Sequence, residues 1–106
     1  VFYGGKDGLA DDQMFAYYPA TKLWAAFGKN EVNENDAPSE YPGFSVTYDE
    51  NNKKNVLFGG HQGNGFLSGI RLFDPATGQW SAVTAAGEPF GRDGSTLCYS
   101  KYDKKV

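Results

Sequence analysis

Few side chains in this sequence are placed to do chemistry, and they are scattered. His61 is the single histidine and directly follows Gly59-Gly60. A zinc-type site draws several His, Cys or carboxylate ligands from short spacings. The single cysteine, Cys98, is far away in sequence, so His61 reads as a loop histidine. The stretch "KDGLADD" (6–12) gathers Asp7, Asp11 and Asp12. Calcium takes about 6–8 oxygen ligands, and this spacing is not that of an EF-hand. A solvated loop is the preferred reading. Ser45, Ser95 and Thr96 offer hydroxyls, but no His or Asp stands at a nearby motif position, so a nucleophile triad has no support. Arg92, in "FGRDGS", is the most informative polar residue. Its planar fork could bind a carboxylate through two parallel bonds, or it could hold a loop by bonding backbone carbonyls. The second role is preferred. No catalytic residue, metal ligand set or cofactor is assigned. Arg92, His61, Asp7 and Tyr41 stand as candidate contacts to a ligand or partner.

Composition narrows the partners. The net charge is −3, which does not suit a nucleic-acid surface. No apolar run reaches membrane-spanning length, and no charged-then-apolar leader opens the sequence. One cysteine and no Asn-x-Ser/Thr acceptor lean towards a reducing, intracellular setting. Aromatic residues make up 16% and glycines number 14, a pairing that suits strands joined by tight turns.

The elements that must position these residues come from an internal repeat. "VFYGG" (1–5) matches "VLFGG" (56–60), and "AYYPATKLW" (16–24) matches "LFDPATGQW" (72–80). "APSEYPGFSVTYDENNKKN" (37–55) matches "EPFGRDGSTLCYSKYDKKV" (88–106). Two units follow, 1–55 and 56–106. The loop "HQGNGFLSG" (61–69) holds the place of "KDGLADD" and has no acidic residue, which weighs further against a metal loop.

Within the units, alternating patterns predict strands over Gly43–Asp49, Asn55–Gly59, Gly69–Asp74 and Gln79–Val83. "STLCYS" (95–100) alternates in the same way, with Leu97 and Tyr99 on one face. In "DPATGQW", Asp74 is expected to accept a backbone N–H, Pro75 to preset a type I turn, and Gly78 to take positive φ. The result is a hairpin with Trp80 near the start of its second strand. "YYPATKLW" keeps that hairpin but has Tyr18 for Asp and Lys22 for Gly. Both Trp24 and Trp80 are expected to be buried. The lysines at 53–54 and 104–105 are expected to be solvated in turns.

This constellation resembles the kelch repeat over essentially the whole chain. Gly59-Gly60, Phe73, Trp80 and "GEPFGRDGST" (87–96) fit its pattern, with Phe73 for the usual Tyr and Ser95 for the usual His. Gly4-Gly5, Tyr17 and Trp24 carry it in the first unit, which departs at Tyr41 and Phe44. The resemblance implies an all-β fold of antiparallel four-stranded blades in a β-propeller. Two blades do not close a ring, so the chain is expected to join further blades, from a longer chain or from other copies in a homo-oligomer. Some kelch-type oxidases use copper with a Cys–Tyr crosslink. Cys98 and Tyr99 are adjacent and point to opposite strand faces, so Cys98 reads as a small buried strand residue. The resemblance implies a protein-interaction scaffold that presents loops to a protein partner, and the acidic insertion "GKNEVNENDAPSEYPG" (28–43) suits that role. The alternative is a ligand-binding or catalytic propeller of the galactose-oxidase-like or sugar-binding kind, with its active residues on other blades.

Overall fold

The computed structural model describes residues 2–3, 14–27 and 43–106. Nine strands and no helix occur among them. β1 (Phe2–Tyr3), β2 (Met14–Tyr18) and β3 (Leu23–Phe27) form an antiparallel sheet in that order. β4 (Phe44–Asp49), β5 (Lys54–Gly59), β8 (Ile70–Asp74) and β9 (Gln79–Val83) form a four-stranded antiparallel sheet, also in chain order. A small hairpin, β6 (His61–Gln62) with β7 (Gly65–Phe66), lies between β5 and β8 in sequence. The expected strands of the larger sheet are found with ends shifted by at most one residue.

The β8–β9 turn forms as its residues dictate. Asp74 Oδ1 accepts from Ala76 N at 2.9 Å, its carbonyl accepts from Gly78 N at 2.8 Å, and Gly78 has φ +70°. In the β2–β3 turn Lys22 N donates to the Tyr18 carbonyl at 2.8 Å, and Lys22 takes φ +56°. A lysine therefore adopts the left-handed conformation that Gly78 adopts at lower steric cost. The two hairpins also share a cross-strand aromatic pair. Tyr17 faces Trp24 and Phe73 faces Trp80, each with ring centroids 5.0 Å apart.

Burial separates the two pairs. Phe73 and Trp80 are 1% and 4% exposed, whereas Trp24 is 57% exposed, so the expectation that both tryptophans are buried fails for Trp24. Register gives the reason. The Phe73–Trp80 rung continues through Asn55 to Tyr48, four residues wide. β1 reaches only Phe15 and Met14, so the Tyr17–Trp24 rung is two residues wide in the described strands.

Three further expectations are corrected. Residues 95–100 join no sheet and form only the isolated bridge Ser100↔Lys105. Cys98 is exposed rather than buried. Lys54 is not simply solvated, since its Nζ lies 2.5 Å from Asp74 Oδ2. Lys53 and Lys104, one in each of the turns that follow β4 and 95–100, take φ +57° and +54°. The turns are alike in their caps as well. Asp49 Oδ1 accepts from Asn51 N and Asn52 N, and Ser100 Oγ accepts from Asp103 N.

Candidate functional site

The sheet end where β5 stops and β4 starts gathers His61, Arg92, Ser45 and Ser95 from among the polar residues singled out by sequence. Gly60 N donates to the Arg92 carbonyl at 2.8 Å, and the Gly60 carbonyl accepts from Leu67 N at 2.8 Å. Arg92 N donates to the Leu67 carbonyl at 3.2 Å, and Gly94 N donates to the Gly43 carbonyl at 2.9 Å. The segment returning from β9 is thus laid across the sheet end by main-chain bonds. This explains the Gly-Gly of "VLFGG". Gly59 has φ +80°, and a Cβ there would overlap the Arg92 carbonyl oxygen.

Side chains complete the attachment. The Ser45 hydroxyl, buried in β4, donates to the Ser95 carbonyl and lies 2.7 Å from the Ser95 hydroxyl. Arg92 Nε donates to the Phe90 carbonyl at 3.2 Å, which is the carbonyl-bonding role preferred for it. His61 Nδ1 lies 3.4 Å from Asp93 Oδ2, a half-exposed pair whose geometry falls short of a hydrogen bond. Such a pair contributes little when solvent reaches it. From this frame Phe90 projects into solvent at 93% exposure.

A second line of contacts runs along β4. Starting from Gly94 against Gly43, the chain passes Ser95 against Ser45 and ends with the Tyr99 hydroxyl interacting with the Asp49 carboxylate. Residues 95–99 therefore run beside β4 in the same direction. Asp49 is held below the usual carboxylate range, first by the Asn52 amide and then by the backbone N–H groups of its turn, against an opposing effect of burial. Desolvation and the Asp49 charge push the Tyr99 hydroxyl up. Asp74 is also held low, by Lys54 first and then by Ala76 N.

Of the four candidate contacts, His61 and Arg92 come together at this sheet end. Asp7 and Tyr41 lie outside the described residues, as do Gly4, Gly5 and most of the 28–43 insertion. Among the described residues no group of three or more His, Cys, Asp or Glu side chains is placed to hold a metal ion. The arrangement fixes a loop and orients what that loop carries. Sequence reasoning missed Phe90 and Asp93. Phe90 corresponds to Ser39 in the first unit, and that polar counterpart marks a water-facing position. Asp93 corresponds to Pro42 and carried no signal. No protein-family model matches the sequence, and no curated protein matches it.

Proposed function

We propose that the chain consists of kelch-type units set side by side as propeller blades, and that it acts as a protein-interaction scaffold through its sheet-end loop. The arrangement rests on the parallel course of β4 and 95–99, whose contacts join residues one repeat apart at Gly43 and Gly94, and nearly so at Ser45 with Ser95 and Asp49 with Tyr99. Repeated units whose first strands run in parallel around a common axis produce such contacts.

The observation that carries the scaffold role is Phe90. A loop held by main-chain hydrogen bonds presents a large aromatic side chain almost wholly to water. A preordered loop loses little conformational entropy on binding, and an aromatic anchor is the residue type that dominates interfaces. A peptide-display selection against the immobilised full chain tests this. Selected peptides should lose about tenfold or more in affinity on Phe90→Ala, roughly 1.4 kcal/mol. Ser81→Ala, at an exposed position of β9, should leave them unchanged. Peptides indifferent to Phe90→Ala would defeat the assignment.

A further inference from the structure

Arg71 lies within β8, opposite Leu57 of β5 on one side and Ala82 of β9 on the other. Among the described residues the ion pairs are Lys54 with Asp74 and His61 with Asp93, and Arg71 belongs to neither. Its Nε is buried and has no hydrogen-bond partner. Proteins rarely leave such a donor unmet, because its lost hydration is then uncompensated. Arg71 lines a cavity of about 30 Å³ with Phe44, Leu57, Leu67, Ser68 and Gly69. A second deficit lies beside it. Asn55 faces Phe73, which follows Arg71 by two residues, so Asn55 and Arg71 share one face of the sheet. The Asn55 Nδ2 is likewise buried without a partner. Both unmet groups on this face are donors, so what the face lacks is an acceptor.

We propose that the cavity receives the carboxylate of an acidic side chain carried by a peptide partner. A guanidinium takes a carboxylate through two parallel N–H···O bonds, and one edge of its fork includes Nε. The mostly apolar walls strengthen such bonds by lowering the local dielectric. Size selects the source. One water needs about 10–15 Å³, so the cavity has space for about two such groups, which is the size of a carboxylate head. Sites that enclose a whole small molecule are on the order of 300 Å³ or more. The body of the ligand therefore stays outside, as the main chain behind an Asp or Glu side chain does. Val46 and Tyr48, exposed on the same face, give that main chain a surface to lie on. The proposal extends the scaffold reading to a second anchor and does not rest on Phe90.

Arg71 and Arg92 are the two arginines of the sequence, so their Nε–H groups give two signals in proton–nitrogen correlation spectra of the full chain. Arg92→Lys tells them apart. Titration with the capped peptide acetyl-Ala-Ala-Glu-Ala-Ala-amide should shift the Arg71 signal saturably at roughly millimolar concentration, as suits so small a contact. The same peptide with Gln for Glu should leave it in place. Isovalerate, a free carboxylic acid, and inorganic phosphate should each bind more weakly than the Glu peptide. Arg71→Lys keeps the charge but loses the fork, and should weaken binding of the Glu peptide about tenfold, read from the backbone amide signals. Should that variant fail to fold, the contrast between Glu and Gln peptides on the unaltered chain still decides. Phe90→Ala should leave the binding unchanged, so the two anchors stand or fall separately. No saturable shift at Arg71, which is the result for a cavity that holds water alone, overturns the proposal. So do equal shifts from the Gln peptide, or tighter binding of isovalerate or phosphate than of the Glu peptide.

Discussion

Replacing each tryptophan by alanine should destabilise the protein very unequally. Trp80 is 4% exposed and lies on a four-residue rung against Phe73, itself 1% exposed. Removing such a side chain forfeits most of the roughly 250 Å² that a large aromatic buries and leaves a cavity behind. The expected loss for Trp80→Ala lies in the upper part of the range of about 3–5 kcal/mol seen for such truncations. Trp24, with 57% of its surface already in water, has less than half as much to lose and leaves no enclosed void. Scaling the same range gives about 1–2 kcal/mol for Trp24→Ala. The difference of about 3 kcal/mol corresponds to a shift of about 1–3 M between their urea midpoints, if the two variants share a slope typical of small proteins. Far-UV circular dichroism in urea measures the midpoints. Fluorescence adds a check, since each variant keeps a single tryptophan. Emission from Trp80 in Trp24→Ala should be blue-shifted and poorly quenched by acrylamide, and emission from Trp24 in Trp80→Ala should be red-shifted and readily quenched. Equal midpoints, or a larger loss at Trp24, would refute the argument that rung width decides burial here.

Two more outcomes follow from the turns. Lys22→Gly should stabilise the protein by up to about 1 kcal/mol by relieving a left-handed lysine, whereas Gly78→Ala should cost about 1 kcal/mol, both measured by urea melts. Stability should also fall in acid. The carboxyls of Asp49 and Asp74 are lower in the folded protein than in the unfolded chain, so their contribution is complete above the unfolded value near pH 4 and is lost as pH falls through the folded values. Asp49→Asn and Asp74→Asn should each flatten that acid limb in melts taken from pH 6 to pH 2, and an unchanged limb in both would show that other groups set it.

Local chemistry was legible where it is self-contained. "DPATGQW" supplies the acceptor, the fixed φ and the flexible glycine of its own turn, so the hairpin could be read from seven residues. Burial could not. The same local signature at "YYPATKLW" gives the same hairpin and pair, but the extent of Trp24's cover depends on how many strands extend its rung. "STLCYS" alternates as a strand should, yet it forms only the bridge Ser100↔Lys105, because alternation marks two faces of a segment and does not specify its pairing partner. At the sheet end, Gly59-Gly60 was readable as a strand stop. The approach of the Arg92 carbonyl, more than thirty residues later, was not, and neither was the meeting of His61 with Asp93.

The loop that carries Phe90 is tied down at Gly43, Gly60 and Leu67 by amides and carbonyls, which every residue type except proline provides in full. Its path is therefore largely insulated from its own spelling. Mutational drift at positions 88 to 90 leaves the route of the main chain intact, while selection on what the loop touches acts on those same positions. Under the proposed scaffold role, descendants of this sequence can change the object they recognise without redesigning the platform that displays it. Two residues close by are not free to wander: Gly59, in the strand beneath, and Gly91, within the loop, where a Cβ would overlap the main chain of Phe66 and Leu67.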